Sequence, residues 1–168
     1  MKKIYLANGL FGAGDRMINE KIYQEIKKLN IKDLDIYVPQ HNEEINDKSK
    51  FSSSTDISKA DSDKLLESDI LIAVLDGVEI DSGVAAEIGL FSSLGKTIIG
   101  LCTDIRAQKI EEPNSKETLE KLSIITKDPM ENQFLYRNLF VVGLIKQNGK
   151  IVGSIEELTK EIKMNLFW

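Results

Sequence analysis

The sequence predicts an α/β fold, a doubly wound domain built on a central parallel sheet of about five strands. Three observations predict it. Two short unbroken apolar runs, Ile70-Leu71-Ile72-Ala73-Val74-Leu75 and Thr97-Ile98-Ile99-Gly100-Leu101-Cys102, have the length of strands buried on both faces. A helical stretch over 82–94, closed by Gly95-Lys96, lies between them, and strand, helix, strand over about 30 residues is a βαβ unit with a right-handed crossover. Strands and helices alternate in the same way along the rest of the chain.

In order, residues 3–7 read as a first strand, followed by a glycine-rich turn. A helix over 16–29 carries Ile18, Ile22, Ile26 and Leu29 on one face at the 3.6-residue period. Ile36-Tyr37-Val38, stopped by Pro39, reads as a short strand, and a polar loop over 40–55 leads to a helix over 57–67. After the βαβ unit, residues 109–132 are polar and carry Pro113 and Pro129, which reads as an excursion or lid rather than a second domain. Residues 139–145 form a fifth apolar run that completes the sheet. Asn148-Gly149 follows, then a helix over 154–164 opened by the capping-box pattern Ser154-Ile155-Glu156-Glu157. The 168 residues are thus read as one flavodoxin- or Rossmann-like domain, 1–168. In such sheets ligands bind beyond the carboxyl ends of the strands, which singles out 8–15, 39–55, 76–87 and 103–108.

Composition narrows the chemistry. With 22 Lys and Arg against 27 Asp and Glu, the formal charge is −5, which argues against a nucleic-acid polymer or an anionic membrane as partner. One cysteine, Cys102, rules out a disulfide framework and a thiolate zinc site and suits a cytoplasmic protein. A single histidine, His41, leaves little room for a His-rich metal site or a Ser/His/Asp triad. No apolar stretch is long enough for a membrane span or a signal peptide. The chemistry is left to carboxylates, hydroxyls, amides and backbone, with no metal or organic cofactor.

The richest stretch is 76–89, which leaves a buried strand, turns at Gly77 and enters a helix near Asp81 or Ser82, both good N-cap residues. Glu87 sits in the second turn of a helix otherwise built from Val84, Ala85, Ala86 and Ile88. Its side chain leans back over Gly83, which has none to obstruct it, towards the positive end of the helix, which is expected to favour the ionised, nucleophilic form. The turn Asn8-Gly9-Leu10-Phe11-Gly12-Ala13-Gly14 fits neither a dinucleotide nor a triphosphate cradle and is read as a close approach of backbone to a small ligand, or as a simple turn. Taken singly, Asp61 is a solvated helix residue, Tyr5 a core aromatic and His41 a loop residue.

Taken together, these residues resemble the nucleoside 2-deoxyribosyltransferase family. The resemblance runs through Ile4-Tyr5, Gly9-Leu10-Phe11, Asp15-Arg16, Ala60-Asp61, Ser68-Asp69-Ile70 and Leu75-Asp76-Gly77 to the unbroken stretch from Asp81 to Gly89. Beyond residue 108 only Tyr136-Arg137-Asn138-Leu139 offers an anchor. It implies that Glu87 is the nucleophile, that Tyr5 orients it and that Asp61 contacts the base. It further implies that Asp81 holds the sugar hydroxyls and that Asn138, supplied by a neighbouring subunit of a homo-oligomer, touches the sugar. Gly9, Phe11 and Gly83 complete the expected substrate site, and the substrates implied are a deoxynucleoside and a free nucleobase. The excursion over 109–132 and the glycines of the first loop depart from other members and bear on which base fits.

The implied reaction suits a carboxylate beneath the anomeric carbon. It traps the sugar as a glycosyl ester, and a second base then displaces it, so that two inversions give retention. Asp61 is the expected proton donor to the leaving base if burial or neighbouring carboxylates raise its pKa. Two alternatives use the same fold. One is an N-glycosidase that delivers water to deoxynucleoside 5′-monophosphates, for which Arg16, residues 52–54 and Arg106 offer phosphate-binding groups. The other is a non-catalytic nucleotide-binding module, which has no need of Tyr5, Asp61, Asp81 and Glu87 together.

Overall fold

The computed structural model describes residues 1–47, 49, 52–105 and 137–167. Five strands, β1 (Lys2–Ala7), β2 (Leu34–Tyr37), β3 (Ile70–Val74), β4 (Thr97–Leu101) and β5 (Gly149–Val152), form one sheet in the order β2-β1-β3-β4-β5. Every neighbouring pair is parallel. Among the described residues, six helices connect or follow them: α1 (Ala13–Lys27), the single turn α2 (Glu43–Asn46), α3 (Ser54–Glu67), α4 (Ser82–Ser92), α5 (Leu139–Asn148) and α6 (Ile155–Phe167).

The alternation of strand side chains sorts the core into two halves. Ile4 and Leu6 of β1, Ile70, Ile72 and Val74 of β3, and Ile99 and Leu101 of β4 point to one face. There they pack on Ile22 and Ile26 of α1 and Leu158 and Ile162 of α6. Tyr5 and Ala7, Leu71 and Ala73, and Ile98 point to the other, against Leu65 of α3, Val84, Ile88 and Phe91 of α4, and Val141, Val142 and Ile145 of α5. The strand order accounts for this division. The chain steps from β1 to β2 on one side and from β2 back past β1 to β3 on the other, and right-handed crossovers of opposite direction put α1 and α3 on opposite faces. The carboxyl ends of β1 and β3, adjacent in the sheet, therefore send their loops apart, and the crevice between those loops is the topological switch point.

Two expectations need correction. Residues 139–145 are not a strand but most of α5. Val141, Val142 and Ile145 recur at helical spacing on its buried side, while Phe140 stands exposed. The fifth strand is the short Gly149–Val152, entered directly from the end of that helix. The polar loop after β2 also contains more structure than expected, a 3₁₀ turn at Pro39–His41 and the turn α2. Helix α3 begins at Ser54 because Ser53 caps it, its hydroxyl accepting from the Asp56 backbone while the Asp56 carboxylate accepts from the Ser53 backbone. The excursion expected over 109–132 lies outside the described residues. Among the described residues, no helix is long and apolar enough to cross a membrane.

Candidate active site

Tyr5 and Glu87, 82 positions apart in sequence, meet at the carboxyl end of the sheet. Tyr5 occupies the α3/α4 side of β1 by strand alternation and is fully buried. Glu87 lies in the second turn of α4. The helix begins where Asp81 accepts hydrogen bonds from the backbone N–H of Gly83 at 2.8 Å and of Val84 at 3.1 Å. A Cβ at position 83 would stand 3.1 Å from the Asp81 carboxylate, so Gly83 is what keeps this capped turn compact. The Tyr5 hydroxyl donates to Glu87 Oε1 at 2.5 Å, the length of a charge-assisted O–H···O⁻ bond.

Asp61 joins this pair through Tyr37 of β2. Tyr37 pairs with Tyr5 in the β1–β2 register, and their rings lie 5.2 Å apart between centroids. The Tyr37 hydroxyl donates to Asp61 Oδ1 at 3.2 Å and accepts from Asn42 Nδ2 at 3.0 Å. Tyr37 and Asn42 could have been found from the first strand. Once Tyr5 is assigned an inward role, its register partner on β2 faces the same way.

Electrostatics of the cluster are set first by burial. Loss of water raises the Glu87 carboxyl to about 7. The Tyr5 bond opposes that rise, and the negative charges of Asp61 and Asp81 add to it. The expected preference for the ionised form at the helix start is therefore reversed in this site, because desolvation outweighs the helix end. Burial and the Glu87 charge push the Tyr5 phenol far above its usual range, so it remains a donor at all physiological pH. Burial likewise raises Asp61, against the hydrogen bond from Tyr37.

The remaining expected residues lie around the same edge. Gly9 is held from behind by Asn19, whose buried amide donates to the Gly9 carbonyl at 3.0 Å and to Gln40 Oε1 at 3.1 Å, while Asn8 donates to Asn19 at 2.8 Å. This amide clip, unnoticed in the sequence, ties the first loop to the turn after β2. Phe11 projects from that loop with 82% of its surface exposed. The carboxylate of Asp15 lies beneath the loop, 3.0 Å from where a Cβ at Gly9 would stand and 2.5 Å from one at Gly12. Asn138 is at the N-cap of α5, where its side-chain oxygen accepts from the backbone of Phe140 and Val141. Because α5 runs antiparallel to the strand that follows it, this end lies at the same edge of the sheet as Glu87. Of the phosphate-binding groups considered, Arg16 is exposed, Ser53 spends its hydroxyl on the α3 cap, and Arg106 lies outside the described residues.

A second cluster holds the loop that carries Asp81. Asp76, just past β3, accepts from the Thr103 backbone at 2.7 Å and from its hydroxyl at 2.6 Å, joining the loops after β3 and β4. The buried Arg137 donates to the Gly77 carbonyl at 2.8 Å and to Asp104 at 3.3 Å. Its Nε has no partner among the described residues. Among the described residues, no group of three or more His, Cys, Asp or Glu side chains could hold a metal ion.

The family model described as nucleoside 2-deoxyribosyltransferase matches residues 4–138. No curated protein matches the sequence. Among solved structures, a conserved protein from Enterococcus faecalis V583 is 44% identical, with 98% of each chain covered and a TM-score of 0.80. A 2-deoxyribosyltransferase from Leishmania mexicana is 25% identical over 94% of this chain and 93% of its own, with a TM-score of 0.59. A 2-deoxyribosyltransferase from Bacillus psychrosaccharolyticus, 19% identical over 94% and 90%, shares the fold with a TM-score of 0.61.

Proposed function

The chain belongs to the nucleoside 2-deoxyribosyltransferase family, and from that premise we propose that it moves 2-deoxyribose between nucleobases through an ester on Glu87. The observation that carries this reading is the 2.5 Å bond from Tyr5 to Glu87 Oε1. It fixes one oxygen of a buried carboxylate and leaves Oε2 to attack.

Glu87 Oε2 forms a bond to the anomeric carbon as the N-glycosidic bond breaks, and the bond's electron pair leaves on the base nitrogen. Asp61 delivers the proton that neutralises the leaving base. The acceptor base then attacks the same carbon from the opposite face, displacing Glu87 as a carboxylate and returning a proton to Asp61. Tyr5 stays protonated throughout, orienting Glu87 and stabilising the carboxylate each time it is released. The productive form of the empty site holds one proton between the two acids, with Glu87 ionised and Asp61 protonated. Positive charge developing on the sugar ring favours that arrangement once substrate is bound. Asp81 and the backbone around Gly83 receive the sugar hydroxyls. The Phe11 ring stacks on the base above Gly9, and Asn138 of a neighbouring copy in a homo-oligomer closes the sugar site.

The substrate is a nucleoside rather than a nucleoside monophosphate. A phosphate is best received at a helix N-terminus. The two helices that start at this edge beside the switch point already carry carboxylates there, Asp81 on α4 and Asp15 in the first turn of α1.

The test is incubation with deoxyinosine, with and without adenine, followed by chromatography. Deoxyadenosine and hypoxanthine should accumulate with adenine present, and free sugar should appear only slowly without it. Product formation indifferent to added base, fastest on deoxynucleoside 5′-monophosphates, would replace transfer with hydrolysis.

A further inference from the structure

We infer that Tyr37 is a positioning residue that dictates which oxygen of Asp61 carries the exchangeable proton. The inference rests on the assignment of Asp61 as the acid, but its structural content can be tested separately. A carboxyl group that acts as an acid has two oxygens that exchange roles whenever it turns, and only the one facing the leaving base is useful. Here one is spoken for. Oδ1 accepts from the Tyr37 hydroxyl at 3.2 Å. A hydroxyl has one hydrogen, and the direction of donation is set from its other side, where Asn42 Nδ2 donates to the same oxygen at 3.0 Å. An amide nitrogen offers no acceptor, so the Tyr37 hydrogen must point to Asp61. Oδ1 is thereby fixed as an acceptor, and the proton of the acid resides on Oδ2.

Tyr37 cannot swing away from this task. Its ring is packed 5.2 Å from that of Tyr5, which in turn holds Glu87. Two tyrosines in register on adjacent strands thus each hold one oxygen of a carboxylate, Tyr5 on Glu87 and Tyr37 on Asp61. The first leaves an oxygen free to attack and the second leaves an oxygen free to give up a proton. The bond from Tyr37 also stabilises the carboxylate left after donation, which lowers Asp61 against the upward push of burial. The ionisable groups around Asp61 are Tyr37 on β2, Tyr5 on β1 and Glu87 on α4, with the last two sensing its charge. Among the described residues, α2 adds no group to its titration.

Tyr37→Phe removes the hydroxyl and leaves the ring. In carbon-13 carboxyl NMR of the full chain, with the Asp61 resonance assigned by Asp61→Asn, the Asp61 midpoint should rise by about half a pH unit or more. In steady-state transfer, kcat should fall about tenfold with KM changed by less than about threefold, and the acidic limb of kcat/KM should move to higher pH. Asn42→Ala, which preserves both tyrosine rings, should move the same midpoint in the same direction by a smaller amount. It serves as the test if Tyr37→Phe does not fold. An unchanged Asp61 midpoint in the folded variant, with kcat intact, overturns the inference. A wild-type chain that neither transfers nor hydrolyses deoxynucleosides while the midpoint still rises would remove the reaction but leave the Tyr37 role standing.

Discussion

The two faces of the sheet are built from the same strands and do different work. On the α1/α6 face every buried strand residue is aliphatic, and Ile4, Ile72 and Ile99 are fully buried in the core that includes Ile22 and Ile162. On the α3/α4/α5 face the same strands present Tyr5, Ala7, Ala73 and Gly100, and the registers align Ala7 with Ala73 and Ala73 with Gly100. Small residues at the carboxyl ends of three adjacent strands give up apolar burial. A Cβ on Gly100 would stand 3.0 Å from Ile151 and 3.1 Å from Leu75, so the glycine lets those side chains close directly over β4. Both faces bury an extensive apolar core, but Tyr5, Tyr37 and Glu87 lie on the α3/α4/α5 face alone. The period of two in a strand is enough to separate them.

That division can be broken from either side. The largest effect should come from Glu87→Gln, which removes the carboxylate proposed to attack and should lower transfer by about four orders of magnitude or more. A 2-fluoro-arabinosyl nucleoside should correspondingly add one sugar to the peptide bearing Glu87 in wild type and none in the variant, by mass spectrometry. Ile72→Ala strikes the other face. It should cost about 2–5 kcal/mol in urea denaturation while leaving kcat per folded molecule within about twofold.

The third way to sharpen the contrast is pH. The Glu87 carboxyl in the folded chain titrates near 7, above its ordinary value of 4.5. The protonated form is therefore the one that folding favours. Stability from this group is complete below about pH 4.5 and declines until pH 7 is passed, a total on the order of 3 kcal/mol. Wild type should lose ground against Glu87→Gln in urea midpoints measured between pH 5 and pH 8. Parallel midpoints across that range would contradict the burial described above. Over the same range kcat/KM should fall above about pH 7, as the last proton shared by Glu87 and Asp61 leaves. The smallest effect belongs to Tyr5→Phe. It retains the ring and its packing but frees Glu87 to turn, and should lower kcat about 10- to 100-fold with little change in thermal midpoint.

The sheet was legible where strands are buried on both faces. The continuous runs of β3 and β4, bounded by turn residues, have few other readings in a soluble chain. Residues 139–145 misled because an unbroken run of seven apolar residues carries no period by itself. The burial of Val141 and Val142 together with Ile145, while Phe140 is exposed, marks a helix and is visible only once the chain is folded. Helix starts were placed late for a related reason. Gly12 caps α1 with no side-chain bond, and the Ser53 box uses Asp where the expected pattern has Glu. At the candidate site the carboxylates and Tyr5 could be named from the resemblance, whereas Tyr37, Asn42 and Asn19 could not. Their roles arise from register and from contacts between loops far apart in sequence, and no short motif encodes those.

The Arg137–Asp104 pair has a consequence for how this chain can change. Asp104 lies just after β4 and Arg137 just before α5, and the pair holds these two points of the chain together beside the Gly77 carbonyl. In polymer terms such a clasp has already met the entropic cost of bringing its two ends together, and for a flexible segment each doubling of the length between them costs only about 0.6 kcal/mol. Length and composition can then vary there almost independently of the carboxylates a few residues away. A clasp so placed lets the sequence between its ends differ in length while the Asp76–Thr103 and Arg137–Gly77 contacts stay as they are.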